Sequence, residues 1–132
     1  KMEEMNGHEM DKIHALFKSQ DERLEAKQRI MELGDLSISD SMGTNLEINA
    51  PGVNKGMGLI QLGRLLGIER EEIMACGDGN NDLMMLKEVG FGVAMANGAD
   101  EVKEVADYIT LSNEEDGVAA AIEKIVLNPE RG

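Results

Sequence analysis

Aromatic side chains are almost missing from this chain: two Phe, one Tyr and no Trp among 132 residues. A core built without them must be aliphatic, and ten Met supply flexible gap-filling. Cysteine is nearly absent too. The lone Cys76 excludes an internal disulfide and fits a reducing compartment. Positive charge is scarce, with 13 Lys and Arg against 26 Asp and Glu, a net charge of −13. Such a surface repels phosphate backbones and anionic lipid, which argues against a nucleic-acid partner or a membrane surface. A phosphate-handling site must then bring local cations: a metal ion, a lysine or a helix N-terminus. No apolar run of about 18 residues exists, so nothing reads as a membrane span. The opening Lys1-Met2-Glu3-Glu4-Met5-Asn6 lacks the apolar stretch of a signal peptide and reads as the continuation of a longer chain. A cytoplasmic location is the expectation.

What is present reads as globular: 42% hydrophobic and 30% charged residues over a one-domain length. The rhythm of the chain changes near Ala50-Pro51-Gly52. Before it, Ile13 to Phe17 alternates like a half-buried strand. Ser19-Gln20-Asp21-Glu22 has the form of a capping box. It predicts a helix with Ala26, Ile30 and Leu33 on one side and Gly34 just beyond its end. Leu36–Ser39 and Leu46–Asn49 read as two strands around a turn at Met42-Gly43-Thr44. Residues 1–50 are therefore a small α+β piece.

From residue 51 to 132 helix and strand alternate. Lys55–Leu66 predicts a helix with Leu59, Leu62 and Leu66 inward, stopped by Gly67. Ile73–Cys76, Gly92–Met95 and Tyr108–Thr110 read as buried parallel strands. Helices are expected at Leu83–Glu88 and Asp100–Ala106. A further helix is expected from the box Ser112-Asn113-Glu114-Glu115, with Val118, Ala121, Ile122, Ile125 and Val126 on one face. The pattern is that of a doubly wound α/β sheet.

The densest chemistry lies in Gly77-Asp78-Gly79-Asn80-Asn81-Asp82, between a strand and a helix. Ligands bind at that end of parallel strands. Asp78 and Asp82, four apart across a glycine turn, offer oxygen ligands that suit Mg²⁺, which keeps several waters and uses one or two carboxylates. Asn81 can donate a hydrogen bond to a phosphate oxygen. The same letters also suit a plain turn with Asp82 as the N-cap of the next helix, and composition leaves both open. Lys55 opens a helix, where the macrodipole disfavours a cation. It either serves an anion or a carboxylate, or is a solvated surface lysine.

Taken in order, Asn54-Lys55-Gly56, Gly77-Asp78-Gly79-Asn80-Asn81-Asp82, Gly92-Val93-Ala94-Met95 with Asn97, Ala106-Asp107-Tyr108, Ser112-Asn113 and Asp116-Gly117-Val118-Ala119 resemble the Cof-type phosphatases of the haloacid dehalogenase superfamily. The resemblance runs from about Leu46 to Leu127. It implies that residues 1–50 end a mobile cap domain and that residues 51–132 form the C-terminal half of the parallel-sheet core, with helices on both faces. It further implies a Mg²⁺-dependent phosphatase acting on small phosphorylated metabolites through an aspartyl-phosphate intermediate. Asp78 would ligate the Mg²⁺. Asp82 would hold a metal-bound water or pair with Lys55, Lys55 would neutralise charge in the transition state, and Asn81 would help position the phosphate. The strand bearing the nucleophile would lie beside the strand ending at Gly77.

The family's opening Asp-x-Asp-Gly-Thr motif is absent from these residues. Asp40-Ser41-Met42-Gly43-Thr44 is a partial mimic in the wrong place and reads as a hairpin turn. The nucleophile is therefore expected outside this chain, whose partner would be the missing half of the same protein or a second copy. Two other readings compete: the phosphorylation domain of a P-type ATPase, which has a similar Gly-Asp-Gly-x-Asn-Asp turn, and a non-catalytic metal- or phosphate-binding fragment. Leu83-Met84-Met85 after Asp82 and the Lys55-Gly56 helix start disfavour the pump. His8 and His14 lack metal-ligand spacing, Cys76 reads as a core-packing residue, and the run Glu69–Glu72 reads as a solvated helical turn before the strand. Ser41 and Asn45 are candidates for substrate specificity.

Overall fold

The computed structural model describes residues 11–40 and 43–128, so His8, Ser41 and Met42 lie outside the described residues. The chain forms two compact units, Lys1–Val53 and Asn54–Gly132. In the first, strands β1 (Lys12–Leu16), β2 (Ser37–Ser39) and β3 (Asn45–Asn49) make an antiparallel sheet in the order β1-β3-β2. Ile13 and Ile38 both face Ile48 in register. Leu46 and Asn45 are the fully buried residues of this sheet. The Asn45 amide nitrogen lies 3.0 Å from His14 Nε2, a bond from a buried residue of β3 to an exposed one on β1.

Helix α1 (Gln20–Met31) starts where the capping signal places it: Ser19 Oγ accepts the Glu22 N–H at 3.3 Å. Glu22 reaches back one residue further than a standard box, to the Lys18 N–H. The helix ends at Met31, and Leu33 is left exposed beyond it. An ion pair between Arg23 and Asp40 (3.0 Å), with both side chains mostly buried, ties α1 to the segment leaving β2.

In the second unit β4 (Met74–Gly77), β5 (Phe91–Ala94) and β6 (Tyr108–Ile109) pair in parallel in the order β4-β5-β6. Each lies within one residue of its expected bounds. Ala75, Leu86, Val89, Ala94 and Val102 form the core, joined by Leu59, Ile73 and Leu83. The unit is an α/β domain whose strands are apolar on both sides, as a covered parallel sheet requires. At the head of β6, Asp107 takes both backbone groups of Gly92: its N–H donates to Gly92 O (2.8 Å) and its Oδ2 accepts the Gly92 N–H (2.7 Å).

Helices α3 (Leu83–Glu88) and α4 (Asp100–Val105) pack on this sheet, and α2 (Lys55–Leu66) packs against α3. The Asn54 side chain caps α2 through the Met57 N–H, and Gly67 ends it in the left-handed region at φ 71°. The buried face of α2 differs from the expected one. Leu62 and Leu66 are exposed, while Gly56 and Gly63 are its buried residues. A Cβ at Gly56 would stand 2.9 Å from Met84 O, and one at Gly63 would stand 2.9 Å from Ile73 Cδ1. Backbone contact with α3 and Ile73 sets the interior side of α2, and a leucine stripe cannot approach so closely.

The 3₁₀ turn Arg70–Glu72 is not merely a solvated run. Arg70 Nε and Nη2 donate to Glu88 O (2.6 Å) and Lys87 O (3.3 Å), satisfying carbonyls at the end of α3. The box at Ser112 forms but does not open a long helix. Ser112 Oγ donates to Glu115 Oε2 (2.6 Å) and closes a separate 3₁₀ turn, Asn113–Glu115. Asp116 then takes a left-handed φ of 57°, and α5 (Gly117–Ala121) starts anew, running on as a π-helical segment, Ile122–Leu127. Gly117 is required there because a Cβ would collide with the Leu111 carbonyl oxygen. Of the expected apolar face, Ala121 and Ile125 turn inward, while Val118, Ile122 and Val126 are exposed.

The glycine face of α2 reverses an ordinary propensity. Gly→Ala within a helix normally stabilises by up to about 1 kcal/mol. Gly58, with nothing within 4 Å of its Cβ position, should follow that rule. Gly56→Ala should instead destabilise by about 1–3 kcal/mol through overpacking against Met84 and Glu88. Urea melts of the two variants check the opposite signs.

Candidate metal and phosphate site

Strand β4 ends at Gly77, and the chain turns through Asp78 and Gly79 into a 3₁₀ turn, Asn80–Asp82, before α3. Gly77 is buried, and a Cβ on it would lie 2.6 Å from Asp82 Cβ. Only a residue without a side chain lets Asp82 fold back over the strand end.

Asp82 does not cap α3; its carboxylate turns back into the loop. Oδ2 accepts the Asp78 N–H (3.1 Å) and the Gly79 N–H (3.2 Å). Oδ1 accepts from Lys55 Nζ at 2.6 Å. The residue is 6% exposed. Burial pushes its pKa upward, but the Lys55 hydrogen bond, the Gly79 and Asp78 N–H groups and the Lys55 charge outweigh it, so the pKa lies below the ordinary carboxylate value. Lys55, the first residue of α2, keeps its side chain about half exposed while its ammonium holds Asp82. It is not a free surface lysine.

Asp78 is different. It is exposed at the carboxyl end of β4, and its carboxylate has no protein partner among the described residues. Asn81 is half-buried in the same turn, its Oδ1 against Gly79, where a Cβ would stand 2.9 Å away. The four residues singled out in the sequence thus fall in one loop and the helix start beside it.

These donors fit Mg²⁺ in a limited way. The uncommitted Asp78 carboxylate suits an ion that takes one or two carboxylates and retains water. Both Asp82 oxygens are already engaged by three protein donors, which favours its role as the partner of Lys55. Among the described residues no group of three or more His, Cys, Asp or Glu converges on a cation position. His14 is bonded within the first sheet, and burial raises the Cys76 thiol pKa, which disfavours the thiolate.

Two residues that helped carry the family resemblance had no structural or chemical role assigned to them from sequence. Asn97 accepts the Asn113 N–H (2.8 Å), and Asp107 clamps Gly92. An Asp directly before a short strand was a signal for the second. Nothing local marks the first, because its partner is sixteen positions away.

In open α/β sheets ligands bind at the carboxyl ends of the strands, and this chain has an acidic loop and a paired lysine there. A profile of haloacid dehalogenase-like hydrolases matches residues 1–122, and the chain belongs to that family. It is 45% identical over 125 residues to the 5-amino-6-(5-phospho-D-ribitylamino)uracil phosphatase YcsE of Bacillus subtilis, covering 95% of this chain and 50% of that protein. A solved haloacid dehalogenase-like hydrolase from B. subtilis aligns with a TM-score of 0.85 at 30% identity, over 94% of this chain and 45% of its own. A subclass IIB sugar phosphatase of the superfamily aligns with a TM-score of 0.82 at 30% identity, over 92% and 45%. The chain spans about half the length of these relatives. Phosphatases among them do not favour the pump reading. Among the described residues no helix is long and apolar enough to cross a membrane.

The lowered pKa of Asp82 has a signed consequence. A carboxylate with a depressed folded pKa contributes stability above its unfolded pKa and loses it as pH falls through the folded value. Denaturation midpoints should therefore drop as pH falls from the ordinary carboxylate value through the lower Asp82 value. Asp82→Asn should flatten that acid limb, and a set of urea melts across the acidic range measures it.

Proposed function

We propose that this chain is the C-terminal part of a cytoplasmic, Mg²⁺-dependent phosphatase that hydrolyses small phosphorylated metabolites. Residues 1–50 would end its cap and residues 51–132 would form the second half of its core. The observation that carries the reading is the uncommitted Asp78 carboxylate beside the Lys55–Asp82 pair at the end of a parallel strand, in a member of a hydrolase family. The phosphatases of a ribitylaminouracil phosphate and of sugars among its relatives support the substrate class.

Asp78 is the carboxylate that would hold Mg²⁺, which when bound supplies positive charge against phosphoryl oxygens. Lys55, oriented by Asp82, presents its ammonium to charge that develops on those oxygens. Asn81 offers its amide N–H groups to the phosphate. No described residue stands as a nucleophile in this loop. We assign attack on phosphorus to an Asp carboxylate outside these 132 residues: the Asp–phosphorus bond forms as the bond from phosphorus to the ester oxygen breaks, and the substrate leaves as its alcohol after taking a proton. Water then attacks the aspartyl-phosphate, releasing inorganic phosphate and the free Asp. Among the described residues the outer edge of β4 pairs with no strand, and Leu62, Leu65 and Leu66 of α2 are exposed. Unpaired edges recruit another strand. The missing half of the protein, or else a second copy, would cover them.

The test joins this chain to the N-terminal half of the B. subtilis relative and follows hydrolysis of an aryl phosphate with and without Mg²⁺. The chimera should turn over and the chain alone should not. Within the chimera, Asp78→Asn should abolish most activity, Lys55→Ala should cost on the order of a hundredfold, and His14→Ala should change little. Near-full activity in Asp78→Asn with unchanged Mg²⁺ dependence would overturn the metal assignment. Metal-dependent turnover by the chain alone would place the nucleophile within it. Sedimentation of the isolated chain should show self-association, and a clean monomer would argue against an exposed, pairing-competent edge.

A further inference from the structure

We infer that the turn Met95–Ala99, anchored by Asn97, is a positioning device for the Asp78 carboxylate, an inference that rests on the metal reading above. The Asp78 side chain has no protein partner among the described residues, so its aim depends on its own backbone. That backbone is held at three points. Its N–H donates to Asp82 Oδ2 (3.1 Å), and its carbonyl accepts the Ala99 N–H (2.9 Å). Gly98 packs directly on it, since a Cβ there would stand 3.1 Å from both Asp78 Cα and Asp78 O. Two of the three contacts therefore come from one turn.

The turn is in its own right fixed from both sides. Met95 N–H donates to Gly77 O (3.0 Å), continuing the β4–β5 ladder. On the far side the Ala96 N–H reaches Leu111 O at 3.3 Å, a long bond, and Asn97 Oδ1 accepts the Asn113 N–H at 2.8 Å. Asn97 is exposed, and its side chain bonds to the Asn113 N–H rather than to Asp78. It acts through the turn, as outer groups that orient a metal ligand do. Gly98 is buried without a positive φ, so its requirement is steric.

The test uses the 132-residue chain, ¹⁵N-labelled, titrated with Mn²⁺ alone, whose paramagnetic broadening reports even weak sites. In the unaltered chain the Asp78 and Gly79 amide signals should broaden first, and Asp78→Asn should remove that effect. Asn97→Ala and Gly98→Ala should need about tenfold more Mn²⁺ for equal broadening, the scale of lost outer-group support. Asn97→Asp, which keeps the acceptor for the Asn113 N–H, should restore the response. Urea midpoints measured alongside separate loss of aim from loss of fold, and if Gly98→Ala unfolds, Asn97→Ala with its Asp rescue decides. Broadening that survives Asp78→Asn overturns the metal reading and this inference with it. Broadening lost in Asp78→Asn but unchanged in Asn97→Ala overturns this inference alone. Loss in Asn97→Ala without rescue by Asp overturns it as well.

Discussion

A carboxylate that is 6% exposed cannot stay charged without partners, and the loop after β4 is shaped by how Asp82 finds them. Three donors converge on it: two backbone N–H groups of the turn it belongs to, and the ammonium of a residue 27 positions earlier. To receive them, Asp82 must fold over the end of the strand, and so Gly77 carries no side chain. Lys55 must open α2 despite the helix dipole, and the Asp82 charge offsets that cost. The interaction couples the start of α2, the end of β4 and the start of α3.

One outcome of this arrangement is a division between two aspartates that look equivalent in the sequence. Asp82 is committed inside the protein, and Asp78 is left with an open carboxylate at the strand end. A committed carboxylate orients; an open one is available to a ligand. The chain as a whole carries an excess of negative charge, and Lys55 brings a positive charge to this loop.

The two sheets differ in how self-sufficient they are. The parallel sheet has a contiguous core from Ala75 to Val102, whereas α1 has no buried residue and the first sheet fully buries Leu46 and Asn45. Exposed leucines on α2 and a β4 edge that is unpaired among the described residues are surfaces suited to further polypeptide, even in the better-packed unit. This agrees with a chain that spans about half the length of its relatives.

Local chemistry alone determined most element boundaries. Ser19 placed the start of α1, Lys55–Leu66 and Leu83–Glu88 were read to the residue, and the apolar runs located three parallel strands, because caps, glycine stops and continuous apolar runs act within a few positions. The order of motifs also pointed to the family. Three features were decided only by tertiary contact. The inward face of α2 is glycine rather than leucine, since close backbone approach to Met84 and Ile73 outweighs the hydrophobic pattern. The box at Ser112 closes its own turn, since Gly117 must slip beneath Leu111. Asp82 abandons the cap of α3 for Lys55, because a buried charge takes its strongest available donors, and which donors are near is a property of the folded chain.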